Sequence, residues 1–279
     1  GSLVPKPETP NDPNFPSTPG VKYPNDPTDP TKPGQPVVPD VPGYEPHLPD
    51  PKDPTKPGQP IQPGTPVTPD KPGEDTPIIY VPKTNDVTQP TKQTVTFEGA
   101  GSTTPKDDVQ SDYTFTGKKN QADGTTTWTE NSHTYGRESV PVVSGYYADK
   151  SEAGRKTVTP GNPNAEDVVT YKPLGKIIQV DEDGNVIPNS TSVTYNNNPS
   201  NPKEAAETKI PDAPTGYVIK EEQPQAWGYN IVDKTIEPND ESDPDRISQD
   251  TKIVYVKADQ KAVITYVDQT TGQTLANDQ

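Results

Sequence analysis

The chain has no cysteine and no methionine in its 279 residues, and only two histidines. Without cysteine there are no disulfides and no thiolate metal ligands, a usage that fits either the cytosol or a surface protein stabilised by other means. Apolar residues are scarce at 26%, against the roughly 45–50% of ordinary globular domains, so part of the chain is expected to lack a packed core. Cations are also few: 25 Lys and Arg face 41 Asp and Glu, a net charge of -16. That balance speaks against a nucleic-acid partner, which needs clustered Lys and Arg to neutralise phosphates, and by itself is explained by solubility. No run of 18 apolar residues exists, so no membrane span is expected. Opening on Gly1-Ser2 without an initiator Met, the sequence reads as an excised fragment whose missing targeting signals carry no weight.

Catalytic chemistry has little to work with. His47 lies in a proline tract and His133 in an expected loop, and no GxSxG, HExxH or Gly-rich phosphate loop occurs. No enzyme is expected.

What is abundant is proline. Of the 39 prolines, 26 fall in residues 1–90. There "DPTDPTKPGQP" (Asp26 to Pro36) recurs as "DPKDPTKPGQP" (Asp50 to Pro60), and "PVVPDVPG" (Pro36 to Gly43) is echoed by "PVTPDKPG" (Pro66 to Gly73). Proline at about every third position fixes φ near -65° and removes backbone donors. An extended polyproline-II spacer is therefore expected over 1–90, up to about 280 Å long at 3.1 Å per residue.

The remainder is expected to be mainly β, in short segments rich in β-branched and aromatic residues and bounded by Gly, Pro, Asn and Asp. They include "TVTF" (Thr94 to Phe97), "DYTFT" (Asp112 to Thr116), "TTTWT" (Thr125 to Thr129), "VPVV" (Val140 to Val143), "DVVTY" (Asp167 to Tyr171), "KIIQV" (Lys176 to Val180), "KIVYV" (Lys252 to Val256) and "AVITYV" (Ala262 to Val267). One short helix is expected around "PKEAAET" (Pro202 to Thr208). A Gly-Tyr pair followed by a strand ending in Tyr occurs three times, at Gly43-Tyr44, Gly145-Tyr146 and Gly216-Tyr217. Two of the closing strands, "DTPIIYV" (Asp75 to Val81) and "DTKIVYV" (Asp250 to Val256), agree at five of seven positions. Modules therefore stack in tandem, the proline tract ending in the tail of an upstream one.

The acidic stretch "QVDEDGNVIPN" (Gln179 to Asn189) invites a calcium reading. Aligning Gly184 with position 6 of an EF-hand loop puts Asp181 and Asp183 at 3 and 5, but Gln179 at 1 and Ser190 at 12. The template fails at both ends. "YVDQTTGQTL" (Tyr266 to Leu275) keeps only the Asp and the Gly, the residues a tight hairpin turn needs. A hairpin is expected, with calcium contact by Asp181 and Asp183 as the alternative.

"GKIIQVDEDGNVIPNSTSVTYNNNP", "APTGYVI" and "DTKIVYV" together resemble the MucBP module of bacterial mucus-binding adhesins. "KQTVTFEGAGSTTPKDDVQ" through "TTTWTENSHTYGRESVPVVSGYYADKS" to "DVVTYKP" resembles the companion domain of the mucus-binding repeat. The resemblance implies small β-grasp, ubiquitin-like modules: a companion domain at 91–173, a MucBP module at 174–257 and a truncated further repeat at 258–279. It also implies an extracellular, wall-anchored adhesin of a Gram-positive bacterium, its anchor outside this fragment, with mucin glycans and, for some relatives, immunoglobulins as partners. A non-binding stalk that projects a separate head is the alternative. Sugar rings stack on aromatic side chains beside amides and carboxylates, so Trp128, Tyr147, Trp227, Tyr229 and Asn230 are the candidate ligand-binding residues, with "QPQAWGYN" (Gln223 to Asn230) the favoured loop. Core filling is the competing role for each aromatic.

Overall fold

A computed structural model describes residues 1–259 and 264–278. The chain divides into two compact units, one of Gly1–Lys92, Ser111–Thr134 and Thr157–Asn164, the other of Gln93–Gln110, Tyr135–Lys156 and Ala165–Gln279. Both are mainly β.

The first unit corrects the extended-spacer expectation. Strands Ser2–Pro7, Val21–Lys22, Tyr44–Pro49, Pro57–Pro60 and Thr76–Pro82 form one sheet with Thr76–Pro82 at its centre. Leu3, Val38, Val41, Tyr44, Val67, Ile78 and Tyr80 form a buried core. The prolines permit this because the donors and acceptors they leave are closed locally. Asp26 accepts from the amide and hydroxyl of Thr28 (2.7 and 2.6 Å), Asp29 does the same for Thr31, and Asp53 for Thr55. These are Asx turns, in which the side chain stands in for a backbone acceptor. Each copy of the repeat is closed by the same backbone pair, Asp26 N to Lys32 O (3.0 Å) and Asp50 N to Lys56 O (2.9 Å). The two echoing segments pair with each other: Val38 N donates to Thr65 O and Val67 N to Pro36 O. The same unit holds a second sheet, of Thr84–Pro90, Thr114–Asn120 and Thr126–Trp128.

In the second unit, Lys92–Glu98, Asp108–Gln110, Tyr146–Ala148 and Asn164–Pro173 form a four-stranded sheet over a core that includes Val95, Phe97, Val169 and Tyr171. Lys176–Val180, Val193–Thr194, Tyr217–Ile219 and Thr251–Lys257 form another, packed on Ile177, Ile236, Ile253 and Tyr255. The expected helix at 202–208 is replaced by the short strands Ala205–Ala206 and Thr208–Lys209. The reason is tertiary: Asn239 bonds both the N–H and the C=O of Ala205 (3.0 and 2.8 Å), and Thr208–Lys209 pairs with Thr235–Ile236. "VPVV" is not a strand; Val140 and Val143 are buried in the core beside it. The last hairpin, Ile264–Val267 with Thr274–Asp278, falls in the expected truncated repeat, while Ala262 and Val263 of the expected strand "AVITYV" lie outside the described residues.

The sheet of residues 1–82 and that of 176–257 repeat one design. In each, the first strand pairs in parallel with the closing strand, Leu3 opposite Thr76 and Ile177 opposite Thr251. The ties recur one for one. Ser2 N and Lys176 N donate to Asp75 and Asp250, both at 2.8 Å. Tyr23 shares a hydrogen bond with Thr76 (2.5 Å), as Tyr195 does with Thr251 (2.6 Å). A third tie joins all three Gly-Tyr units: the closing-strand tyrosines Tyr80, Tyr171 and Tyr255 donate to the carbonyls of Pro39, Pro141 and Pro211 at 2.6, 2.7 and 3.0 Å. Gly43, Gly145 and Gly216 all have φ near +80°, a left-handed turn that a Cβ disfavours. Each offers its carbonyl to the residue that follows the closing strand, Lys83, Leu174 or Ala258.

Candidate binding surface

The favoured loop is rooted by Gln223. This buried side chain donates to Lys220 O and Val254 O (2.7 and 2.8 Å) and accepts from Val254 N (2.9 Å), so its amide extends the edge of the Thr251–Lys257 strand. Trp227 follows, 44% exposed. Its indole N–H donates to Asn239 O at 3.3 Å, and the Arg246 guanidinium lies 5.9 Å from the ring centroid, a cation–π distance that orients the ring. Tyr229 is half-buried against the core, and burial pushes its hydroxyl up, with Glu221 adding to the effect. Asn230 is spent on the turn: its oxygen accepts from Val232 N and Asp233 N, and its amide donates to Asp233. The turn presents Ile231 and Val232 to solvent, the latter 84% exposed. The loop therefore offers one indole face and an apolar tip, and Asn230 serves the turn.

The other candidates separate. Trp128 is half-buried in the first unit, edge-on to Phe115 at 6.5 Å. Tyr147 is not a surface residue: it is 4% exposed and belongs to the core. Its hydroxyl donates to Asp245 at 2.7 Å, Lys172 reaches the same carboxylate at 2.8 and 2.9 Å, and burial followed by the Asp245 bond pushes its pKa up to about 12. Tyr146 and Tyr147 face opposite sides of one strand, and both sides are covered: Tyr146 packs against the core of the 92–173 sheet and Tyr147 belongs to that of 176–257. Around this tyrosine, Asn197 accepts from Gly145 N and donates to Val143 O and Tyr146 O. Tyr147, Asp245, Lys172 and Asn197 thus lock the sheet of 92–173 to that of 176–257.

The acidic stretch forms a hairpin turn. Asp181 accepts from Asp183 N (3.1 Å) and Asn185 N (2.8 Å), and Gly184 takes φ of +81°. Asp268 accepts in the same way from Thr270 N and Thr271 N, with Gly272 at +70°. Among the described residues no group of three or more His, Asp or Glu is placed to hold a metal ion. His47 bridges Gly58 O and Glu45, and His133 stacks on Tyr113 at 3.7 Å.

Sequence reasoning passed over a groove of about 510 Å³ beside Tyr217, with walls at 187–191 and 212–217. Its signal was Tyr217 itself, the tyrosine of the third Gly-Tyr pair, which is only partly buried.

With this geometry in place, comparison with known proteins adds a family. Residues 82–175 match the model of the Muc B2-like domain. This stretch is similar to the Muc B2-like domain family. The matched range includes the 91–173 expected for the companion domain. No curated protein matches the chain. Among solved structures, a MucBP domain from Lactobacillus acidophilus aligns at 27% identity over 33% of this chain and 97% of its own, with a TM-score of 0.25. The type 2 repeat of the mucus binding protein MUB from Lactobacillus reuteri aligns at 16% identity over 47% of this chain and 76% of its own, with a TM-score of 0.27. The mucin-binding domain of a Streptococcus pneumoniae protein gives 18% identity, 33% and 97% coverage, and 0.27.

Proposed function

We propose that the chain is part of an extracellular, wall-anchored adhesin that holds host mucus glycoproteins through their mucin glycans. The observation that carries this reading is the Muc B2-like domain at 82–175. The modules, including residues 1–82, are read as β-grasp units whose weak individual contacts add up, because each bound module raises the effective concentration for the next. The exposed Trp227 face supplies one surface on which a sugar can stack.

A second reading, a stalk projecting a separate head, is favoured by the locked junction at Tyr147, Lys172 and Asp245. One experiment separates the two: the intact chain over immobilised mucin, with its fold checked by circular dichroism. Retention supports the adhesin; a folded chain that passes unretained supports the stalk.

A further inference from the structure

Besides the extra Pro57–Pro60 strand of the N-terminal copy, the two matching sheets differ at the tyrosine of the Gly-Tyr pair. In the N-terminal copy the tyrosine of the Gly-Tyr pair is plugged: Tyr44 is 1% exposed, Phe15 packs on it edge-on at 5.2 Å, and its hydroxyl donates to Asp12 at 3.1 Å. Phe15 and Asp12 come from the segment between the first strand and its antiparallel partner. In the copy at 176–257 the corresponding segment, 181–192, stands off. Tyr217 is partly buried, and its hydroxyl bonds to none of the described residues. The space left is the 510 Å³ groove, within the roughly 300–1,000 Å³ usual for small-ligand sites.

The groove is built rather than incidental. Gln179, 1% exposed, stitches its walls: its oxygen accepts from Thr191 N at 3.0 Å on one side, and its amide donates to Asp212 O at 2.8 Å on the other. Asn189 holds a left-handed φ of 60° in the first wall, a conformation non-glycine residues adopt at a cost and one that gathers at ligand sites. The side chains of Asn189, Ser190, Thr191, Asp212 and Thr215 line the space with Tyr217. None of the five spends its side chain on a hydrogen bond to the described residues. An aromatic ring ringed by uncommitted hydroxyls, an amide and a carboxylate is the chemistry that takes a sugar: C–H faces stack on the ring and hydroxyls bond the polar groups.

We infer that this groove is a carbohydrate subsite for a neutral hexose or N-acetylhexosamine, one closed by Phe15 and Asp12 in the N-terminal copy. The inference rests on the mucus-binding reading for its biological ligand. The sign of the groove selects against acidic sugars, because Asp212 is its one charged side chain and would face their carboxylate or sulfate.

The test is a titration of the isotope-labelled full chain, read by amide chemical shifts, with N-acetylgalactosamine, galactose and N-acetylneuraminic acid. The two neutral sugars should move amides of 187–191 and 212–217, with N-acetylneuraminic acid binding at least tenfold more weakly. Tyr217→Ala and the groove-filling Thr215→Trp should each weaken the neutral sugars at least tenfold, while Tyr217→Phe keeps binding. Retention on mucin without any shift in the groove, or undiminished sugar binding by Thr215→Trp, would overturn the subsite and leave the mucus-binding reading standing. Shifts in the groove without retention on mucin would uphold the subsite and overturn that reading.

Discussion

Replacing each closing-strand tyrosine by phenylalanine isolates the tie that the three Gly-Tyr units share. Tyr80→Phe, Tyr171→Phe and Tyr255→Phe each keep the ring and delete one hydroxyl, leaving the carbonyls of Pro39 and Pro141 without their donor and that of Pro211 with only the longer bond from the Gln179 amide, at 3.4 Å, so Tyr255→Phe should fall at the low end of the cost. All three side chains are at most 2% exposed, so water does not replace the lost bond. A buried acceptor left unpaired costs about 1–3 kcal/mol, and in a module of this size each kcal/mol lowers the midpoint by about 4–8 °C. Tyr217→Phe is the internal control. Its hydroxyl has no partner among the described residues, so its effect should stay within about 0.5 kcal/mol. Alkali gives a second readout. Burial, reinforced by Asp40 and Asp149 respectively, pushes Tyr80 and Tyr171 up to about 12. A folded pKa above the unfolded value near 10 means stability that is whole below pH 10 and is lost as pH rises toward 12. The phenylalanine variants should lose that slope. Calorimetry on the intact chain at pH 7 and 11 measures both. Midpoints for the three variants indistinguishable from that of Tyr217→Phe would refute the tie.

Three further outcomes follow from other parts of the chain. In the Muc B2-like domain, burial raises Asp167, but Lys150, Gly154 N and Lys156 outweigh it, so its carboxyl sits below the usual range. Its stability is therefore present above the unfolded value near 4 and lost as pH falls through the lower folded one; Asp167→Asn should cost about 1–3 kcal/mol at pH 7 and nothing once wild type is protonated, as urea titrations at both pH values will show. Leu3 is fully buried, so Leu3→Ala should destabilise the first unit by about 2–5 kcal/mol. Hydrogen exchange should find the amides of Val38 and Val67 protected in wild type, whereas exchange at random-coil rates would restore the extended spacer. Mucin adhesion should strengthen as pH falls toward 4.5 and acidic repulsion fades. The gain should be muted because Asp26, Asp29, Asp53, Asp123 and Asp240, lowered chiefly by hydroxyl bonds from Thr or Ser, keep their charge; binding that is flat or weaker at pH 4.5 contradicts the repulsion argument.

Much of the modular plan was legible because it is written in local chemistry. The Gly-Tyr pair needs a left-handed glycine, the closing strand alternates inward Ile and Tyr, and Asp with Gly marks the hairpin at 181–184. Misreadings came where tertiary partners decide. Proline spacing in 1–90 suggested a rod because Pro cannot donate, yet Asp side chains accept the amides between prolines and let the chain fold back on Leu3 and Tyr80. Ala205 and Ala206 have helical propensity, but Asn239, 34 residues on, fixes Ala205 as extended. For the candidate site, exposure was the illegible quantity. Tyr44 and Tyr217 look alike in sequence, each following a left-handed glycine; one is plugged by Phe15 and Asp12 and the other opens on a groove, a difference set by the segment between the first strand and its antiparallel partner.

The most direct test of the central claim is retention of the intact chain on native mucin compared with mucin whose hexose ring diols have been oxidised by exhaustive periodate. The account predicts saturable binding to native mucin that falls at least tenfold after oxidation and is competed by neutral sugar. Equal binding to native and oxidised mucin, or none to either by a folded chain, would contradict it.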